Sequence, residues 1–234
     1  MKLVSFKNIQ SALEEHESDA WRKLIRVLTH EMMNSITPII SLSETLSEED
    51  SEMNEKHYTA MSRAMQTIYR RSKGLVDFVK NYQQLTRIPE PVPVDIPVSE
   101  MLSDINRLLK ANGIDFTYNV VPKDIQLFAD RAQMEQSLIN LIKNAWEACC
   151  DSPLPYVNID VYKNEYQKPV ILISDNGCGI VPEALDKVFV PFFTTKTGGS
   201  GIGLSICRQI MNLHHGSISI ESEVDKGTKV ALRF

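Results

Sequence analysis

DNGCGI at residues 175–180 and GSGIGL at residues 199–204 are two glycine-rich turns, and they flank the run PFFTTK at residues 191–196. Glycine permits positive φ angles and carries no Cβ, so backbone N–H groups in such turns can approach a ligand closely. The second turn leads into an apolar helical pattern formed by Leu204, Ile206, Ile210 and Met211. This turn therefore places N–H groups at a helix N-terminus, which is a favourable site for phosphate.

Asp175 opens the first turn and indicates a different ligand group there. A carboxylate repels phosphate, but it can accept a hydrogen bond from the exocyclic amine of adenine. We therefore expect Asp175 to bind the base while the second turn holds the phosphates. Together the two turns predict an adenine nucleotide pocket.

A helix predicted from Asp130 to Cys149 supplies a third part of the pocket. Its apolar stripe consists of Met134, Leu138, Leu141, Ile142 and Ala145. Asn140 and Asn144 lie one turn apart on one face of this helix, beside Lys143. Asparagine carbonyl oxygens suit a Mg²⁺ ion that nucleotide phosphates also bind. A solvated polar face would show the same spacing, but the glycine turns that follow favour the metal site.

Four segments resemble, in order and spacing, the N, G1, F and G2 boxes of sensor histidine kinases: residues 140–145, 175–180, 189–196 and 199–204. The resemblance covers about residues 92–234. It implies an α/β sandwich ATP-binding domain of the Bergerat type. Histidine kinases share this domain with gyrase, the Hsp90 chaperone and the MutL mismatch-repair ATPase.

The resemblance also implies ATP and Mg²⁺ as ligands. Asn144 would bind the metal ion with help from Asn140. Glycines of the first turn would shape the adenine site, and glycines of the second would hold phosphates. The implied ligand-binding residues are Asn140, Lys143, Asn144, Asp175, Gly177, Gly179, Phe189, Thr195, Lys196, Gly199, Gly201, Gly203 and Leu204.

One residue departs from the family pattern. Some histidine kinases carry a basic residue three positions after the magnesium asparagine, where this chain has Glu147. Lys143 and Lys196 are therefore both candidates for the γ-phosphate.

LTHEMMNSITP at residues 28–38 resembles the phosphoacceptor box of the commonest histidine kinase class. The resemblance implies that His30 is the phosphoacceptor. Glu31 can accept a proton from one ring nitrogen and leave the other nucleophilic. Asn34 shares the face of His30 one turn on, and we expect it to serve the reverse, phosphatase reaction. A solvated helix surface would show the same residues, but an ATP pocket on the same chain favours the phosphoacceptor.

Apolar residues around His30 recur at spacings of three and four, which is typical of a helical bundle. They are Ile25, Leu28, Met32, Ile39, Leu42 and Leu46, with Ser35 in one slot. At about 100° per residue, His30 lies roughly 160° from both Leu28 and Met32, so it points away from this seam. Pro38 cannot donate a backbone hydrogen bond, and we expect a bend there.

A second helix with the same spacing predicts a helical hairpin. Its seam consists of Tyr58, Met61, Met65, Ile68, Leu75, Val79 and Tyr82, with Ser72 in one slot. The polar stretch at residues 47–53 would join two antiparallel helices. One hairpin leaves its seam uncovered, whereas two hairpins form a four-helix bundle. We therefore expect a homodimer.

Composition excludes several classes of function. The 234 residues carry a net charge of −5, which argues against a basic surface for nucleic acid. No apolar stretch is long enough to span a bilayer and no signal peptide is present, so we expect no direct membrane contact. The four cysteines, Cys149, Cys150, Cys178 and Cys207, lack metal-ligand spacing, and we expect reduced thiols in the cytoplasm.

Three regions follow from the sequence. Residues 1–15 resemble the last strand of a PAS-type sensor domain and a connecting segment, residues 16–88 would form the dimerisation and phosphotransfer domain, and residues 89–234 the catalytic domain. The proline-rich run at residues 88–93 would be a stiff linker. After it we predict a helix at residues 98–110 and strands at 114–121, 156–162, 170–174, 217–221 and 228–234. The chain would then be the cytoplasmic core of a longer sensor, for which an anchor in the inner membrane is an open alternative.

The predicted function is ATP-dependent autophosphorylation of His30, followed by transfer of the phosphoryl group to an aspartate in the receiver domain of a response regulator. Two other classes remain open at this point. A nucleotide-gated conformational ATPase would keep the pocket but have no use for His30. A catalytically idle dimeric scaffold would keep the hairpin but fail to bind ATP.

Overall fold

The computed structural model describes residues 29, 32–44, 46, 55–149, 152–196 and 199–234. The chain divides into two compact units between Tyr82 and Gln83, ahead of the domain boundary predicted at residue 88. The first unit contains helix α1, over residues 32–44, and most of helix α2, Glu55–Thr86. Residues 47–54, where the sequence predicts the turn of the hairpin, lie outside the described residues.

Helix α1 carries part of the predicted seam. Ser35, Ile39, Leu42 and Leu46 are half-buried at the predicted spacing, whereas Met32 is exposed. The helix continues through Pro38 without interruption. Ile25 and Leu28 lie outside the described residues, so their place in the seam stays a prediction.

Within a single chain, the predicted seam of helix α2 divides into a half-buried stripe and an exposed stripe. The half-buried stripe includes Met61, Ala64, Ile68, Ser72, Leu75, Phe78 and Tyr82. The exposed stripe consists of Tyr58, Met65, Tyr69, Val76 and Val79. Spacings of three and four occur along either stripe, so the sequence pattern could not tell which residues are covered within a single chain.

The second unit is built on a five-stranded sheet. Its strands are β2 (Thr117–Val121), β4 (Val157–Lys163), β5 (Pro169–Asp175), β6 (Ser217–Glu223) and β7 (Gly227–Arg233), in the order β2-β4-β5-β7-β6. The pair β2 and β4 is parallel and the other pairs are antiparallel, so the sheet is mixed. The predicted positions of these strands are confirmed within a few residues.

Helices cover this sheet and complete the α/β sandwich. They are α3 (Val98–Lys110), α4 (Arg131–Ala148), the short α5 (Pro182–Leu185) and α6 (Gly203–Leu213). Helix α4 packs against β4, β5, β7 and α6. Its stripe residues Met134, Leu138 and Ile142 are fully buried, and Ile159 and Ile173 of the sheet are buried with them. The predicted fold class, a helical part followed by an α/β sandwich, is confirmed.

Two short strands were missed by the sequence reasoning. β1 (Val94–Pro97) and β3 (Gln126–Ala129) pair antiparallel in a separate two-stranded sheet. Each strand has only four residues, and β1 ends in a proline that cannot donate to a ladder. Neither strand is long enough to show an alternation of apolar and polar residues that would distinguish it from a loop.

The proline-rich segment before β1 is hydrogen-bonded to the first turn of α4. Asp130 caps this helix, because its Oδ1 accepts from the Gln133 N–H at 3.1 Å. The same carboxylate accepts from the Val92 N–H through Oδ2 at 3.0 Å, and the Gln133 side chain donates to the Pro89 carbonyl at 2.9 Å. The bond from Val92, together with those from Gln133 and Ala132, holds the pKa of Asp130 below its usual range despite partial burial.

The three described cysteines lie in different environments. Cys149 and Cys207 are buried and Cys178 is exposed. Cys207 is fully buried in the core, and this burial raises the pKa of its thiol to about 12. Every helix in the described part of the chain is too short or too polar to cross a bilayer.

Candidate nucleotide-binding site

A pocket of about 680 Å³ opens in the second unit between α4, the end of β5 and the segment before α6. The predicted residues that line it are Asn140, Lys143, Asn144, Asp175, Gly179, Thr195, Lys196, Gly199, Gly201, Gly203 and Leu204. These residues come from three separate stretches of sequence. Two predicted residues, Gly177 and Phe189, are absent from the lining.

Asp175 ends β5 and is half-buried at the pocket wall. Its Oδ1 accepts hydrogen bonds from the Gly177 N–H at 2.9 Å and the Thr228 N–H at 3.2 Å. Burial raises the pKa of the Asp175 carboxyl, and these two bonds together with the charge of Lys196 offset the effect only in part. These two bonds fix the orientation of the carboxylate, which suits the proposed hydrogen bond to the edge of a base.

We expect ATP affinity to decrease as pH falls through the raised pKa of Asp175, because only the ionised carboxylate accepts from the adenine amine at full strength. In Asp175→Asn, Oδ1 must still accept from Gly177 and Thr228, so the new NH₂ group faces the donor amine. ATP should bind about 10- to 100-fold more weakly, the usual cost of losing a hydrogen bond to a charged group. Calorimetry across a pH series measures both effects. An identical pH profile in wild type and variant would contradict the role of Asp175.

The turn after Asp175 is shaped by its two glycines. A Cβ on Gly177 would lie 2.5 Å from the Ala148 carbonyl oxygen, and Gly179 has φ of +70° with the Glu223 carbonyl oxygen directly in the way of a Cβ. The Cys178 N–H also donates to the Ala148 carbonyl at 3.1 Å. Gly177 therefore lets the turn pack against the end of α4, although it does not itself line the pocket.

Sequence reasoning missed the apolar wall and the residue that completes the Asp175 site. Ile173, Ala184, Val188, Ile220 and Val230 line the pocket. Thr228 also lines it, and its hydroxyl lies 2.9 Å from the Ser222 hydroxyl. Thr228 reaches Asp175 only because β7 pairs with β5, and no local pattern in the sequence signals that contact.

Helix α6 brings its N-terminus to the asparagines of α4. A Cβ on Gly203 would lie 3.8 Å from Asn144 Nδ2 and 3.9 Å from Asn140 Cγ, so the two helices approach closely there. Ile202 at the N-cap provides no capping side chain, which leaves the N–H groups of the first turn to a ligand. Asn140 and Asn144 both line the pocket, and side-chain amide oxygens are a type of ligand that suits a Mg²⁺ ion bound to phosphate.

The two lysine candidates differ in their contacts. Lys196 Nζ lies 2.7 Å from Glu147 Oε2 and donates to the Asn144 carbonyl at 3.3 Å. Lys143 is exposed and lines the same pocket. Phe189 instead packs below the guanidinium of Arg208, whose Cζ lies 5.3 Å from the ring centre. That contact joins the segment before the pocket to α6.

The proposed phosphoacceptor box belongs to the first unit of the chain. His30 and Glu31 are not among the described residues, so their orientation stays a prediction. Asn34 is described and is exposed on α1, in the first unit.

Residues 129–234 match the family model of the histidine kinase-, DNA gyrase B- and HSP90-like ATPases. A nucleotide-free structure of the catalytic domain of the histidine kinase ThkA is 32% identical to this chain, with a TM-score of 0.54. The match covers 61% of this chain and 95% of that domain. The chain belongs to the sensor histidine kinases.

Relatives of the kinase match most of its length. A putative NtrY-like sensor histidine kinase from Rickettsia prowazekii (strain Madrid E) is 28% identical over 222 residues, which cover 92% of this chain and 36% of the relative. The nitrogen regulation protein NtrY from Azorhizobium caulinodans is 27% identical, over 93% of this chain and 29% of the relative. The kinase sequence thus spans about a third of the length of these curated relatives.

A second structure covers both units of the kinase. The complex of histidine kinase ThkA with the response regulator protein TrrA matches 99% of this chain and 67% of that chain, with a TM-score of 0.64 and 23% identity. At that identity the likeness supports the fold alone.

Proposed function

We propose that this kinase uses ATP to phosphorylate His30 and then passes the phosphoryl group to an aspartate of a response regulator. The observation that carries the proposal is the pocket in which Asp175, the pair Asn140 and Asn144, and the uncapped N-terminus of α6 meet. This arrangement offers an acceptor for the base at one side and donors for phosphate at the other. The same chain carries, around His30, a segment that resembles a phosphoacceptor box.

The proposed reaction has two transfers. A ring nitrogen of His30 attacks the γ-phosphorus, the bond from that phosphorus to the bridging oxygen breaks, and ADP leaves. Glu31 accepts the proton from the other ring nitrogen. A carboxylate oxygen of the response regulator then attacks the phosphorus, and the phosphorus–nitrogen bond breaks. Mg²⁺, held by Asn144 with Asn140, would neutralise charge on the phosphates.

The proposed roles of the other residues follow from their places at the pocket. Asp175 would bind adenine, and Gly199, Gly201 and Gly203 would bring backbone N–H groups to the phosphates. Gly201 has φ of +66°, and a Cβ there would lie 2.6 Å from the Phe192 carbonyl carbon, so this turn requires glycine. The proposed domains remain residues 16–88 for phosphotransfer and 89–234 for ATP binding.

One assay separates the three classes of function. Incubation with γ-labelled ATP should give a protein-bound label that is acid-labile and base-stable, as a phosphohistidine is. Release of labelled inorganic phosphate without any protein-bound label would favour a conformational ATPase. Failure to bind ATP at all would favour an idle scaffold.

A second copy of the chain is the partner that we propose for the exposed stripe of α2. Tyr58, Met65 and Tyr69 are 64%, 60% and 70% exposed, and such a row of large apolar side chains is typical of a buried bundle interface.

Light scattering should give twice the mass of one chain. Met65→Glu should weaken the dimer by tenfold or more, since a buried unpaired carboxylate costs at least about 1.4 kcal/mol. Arg63→Glu, roughly 160° away around the helix, is the matched control and should leave the dimer intact. A full-strength dimer of the Met65 variant would contradict this interface.

A further inference from the structure

We propose that Glu147 is the counter-ion that holds Lys196 at the pocket until the polyphosphate of a nucleotide takes its place. The inference rests on the proposed ATP site and adds a positioning residue to it. Glu147 stands where some histidine kinases carry a basic residue, so an acidic side chain at a proposed phosphate site requires a physical account.

The contact joins two walls of one pocket. Lys196 belongs to the segment before α6, and its Nζ reaches α4 to lie 2.7 Å from Glu147 Oε2 and 3.3 Å from the Asn144 carbonyl oxygen. The backbone N–H of Lys196 donates to Thr194 Oγ1 at 3.1 Å, which fixes the start of the side chain. Lys196 is therefore held beside Asn144, the proposed metal ligand. The side chain that holds it is Glu147, which is acidic and so does not itself bind phosphate.

Charge at the pocket gives the reason for an exchange. Among the described residues that line it, the charged side chains are Lys143, Glu147, Asp175 and Lys196, two basic and two acidic. Without a nucleotide these charges balance. A bound polyphosphate adds several negative charges, which attract Lys196 and repel Glu147. Lys196 thus exchanges one anionic partner for another when the nucleotide binds.

The strength of the pair suits such an exchange. The side chains of Lys196 and Glu147 are 41% and 55% exposed, and ion pairs at that exposure stabilise a structure only weakly. A polyphosphate can therefore displace Glu147 without a large penalty. The pair still makes Lys196 less available before binding, by a factor of about two to five.

Amine labelling with an N-hydroxysuccinimide ester of acetic acid, read by mass spectrometry, tests the pair directly. Without nucleotide, we expect Lys196 to be labelled about two- to fivefold faster in Glu147→Gln than in wild type. Glu223→Gln is the control, because Glu223 also pairs with a lysine, Lys226, and this pair is more exposed. It should speed labelling of Lys226 and leave Lys196 unchanged.

Nucleotide binding tests the exchange. Mg-ATP should slow the labelling of Lys196 in wild type and in Glu147→Gln. The variant should bind ATP about two- to fivefold more tightly, because Lys196 no longer has to leave a partner. Adenosine carries no phosphate and should bind both proteins equally. If Glu147 had only a structural role, Glu147→Gln would change the affinity for ATP and the affinity for adenosine by the same factor.

The outcomes separate this inference from the function on which it rests. If ATP binds and protects Lys196 but Glu147→Gln changes neither the labelling rate nor the ATP affinity, the role of Glu147 is wrong and the ATP site stands. If ATP fails to bind the wild type, the ATP site is wrong and the exchange is wrong with it. If Glu147→Gln bound ATP and adenosine more tightly by the same factor, the proposed exchange would also be wrong.

Discussion

His30→Gln abolishes the transfer of label from γ-labelled ATP to the protein, and ATP affinity stays within a few-fold of the wild-type value: this is the result that we expect. Glutamine keeps polar character at the position but offers no nucleophilic nitrogen of comparable reactivity. The described residues that line the pocket all belong to the second unit, and His30 is not one of the groups that we propose to bind the nucleotide. Autoradiography after base treatment measures the label, and calorimetry measures the affinity.

Two neighbours of His30 serve as controls for this experiment. Glu31→Ala should slow autophosphorylation by about two decades or more, the usual yield of general-base catalysis. Asn34→Ala should leave autophosphorylation largely intact, because an amide has no useful basicity. It should instead impair dephosphorylation of the phosphorylated response regulator.

Two results would contradict these assignments. Undiminished labelling of His30→Gln would mean that another residue is the acceptor. Equal loss of kinase activity in the Glu31 and Asn34 variants would mean that both act through distortion of the helix near Pro38, and the division of roles would be wrong.

Asn144→Ala should lower the autophosphorylation rate by about two decades or more while the protein stays folded. The proposed metal ion neutralises charge on the transferring phosphoryl group, and loss of one ligand at such a site removes several kcal/mol of transition-state stabilisation, of the order seen for single electrostatic groups. Asn144 is only half-buried, whereas the fold of α4 depends on Leu138, Leu141 and Ile142. Initial rates at saturating Mg-ATP and thermal unfolding of the same samples measure the two effects.

Chelation of the metal ion provides a sharper comparison for Asn144. In the presence of EDTA, wild type and Asn144→Ala should bind ATP with similar affinity, since no metal ion is present for the asparagine to hold. Gln136→Ala, at an exposed position of the same helix, is the matched control and should retain the wild-type rate. Equal rates for Asn144→Ala and wild type would refute the metal-binding role.

The elements that sequence reasoning located are those in which one face is buried. β4 alternates buried Val157, Ile159 and Val161 with more exposed neighbours, so its period of two is visible in the sequence. Helix α4 shows its apolar stripe in the same way, and its predicted end residues, Asp130 and Cys149, became the two caps. Where one face of an element is buried along its whole length, the spacing of apolar residues in the sequence predicts the element correctly.

The parts that the sequence could not supply depend on contacts between distant residues. Thr228 meets Asp175 across a strand pair, and Glu147 meets Lys196 across the pocket. The two stripes of α2 follow the same spacing, and only the packed structure separates them. Local spacing carries no information about such pairs, because the partner is chosen by the fold of the whole unit.

Helix α4 joins two features that are separate in sequence. Its first turn is hydrogen-bonded to Pro89 and Val92, and its later turns present Asn140 and Asn144 to the pocket. Gln133 and Asn144 lie about 16 Å apart along the axis at 1.5 Å per residue. A packed helix of 18 residues behaves as a stiff rod over that length. The proline-rich segment and the proposed metal ligands are therefore attached to one and the same helix, at different positions along its axis.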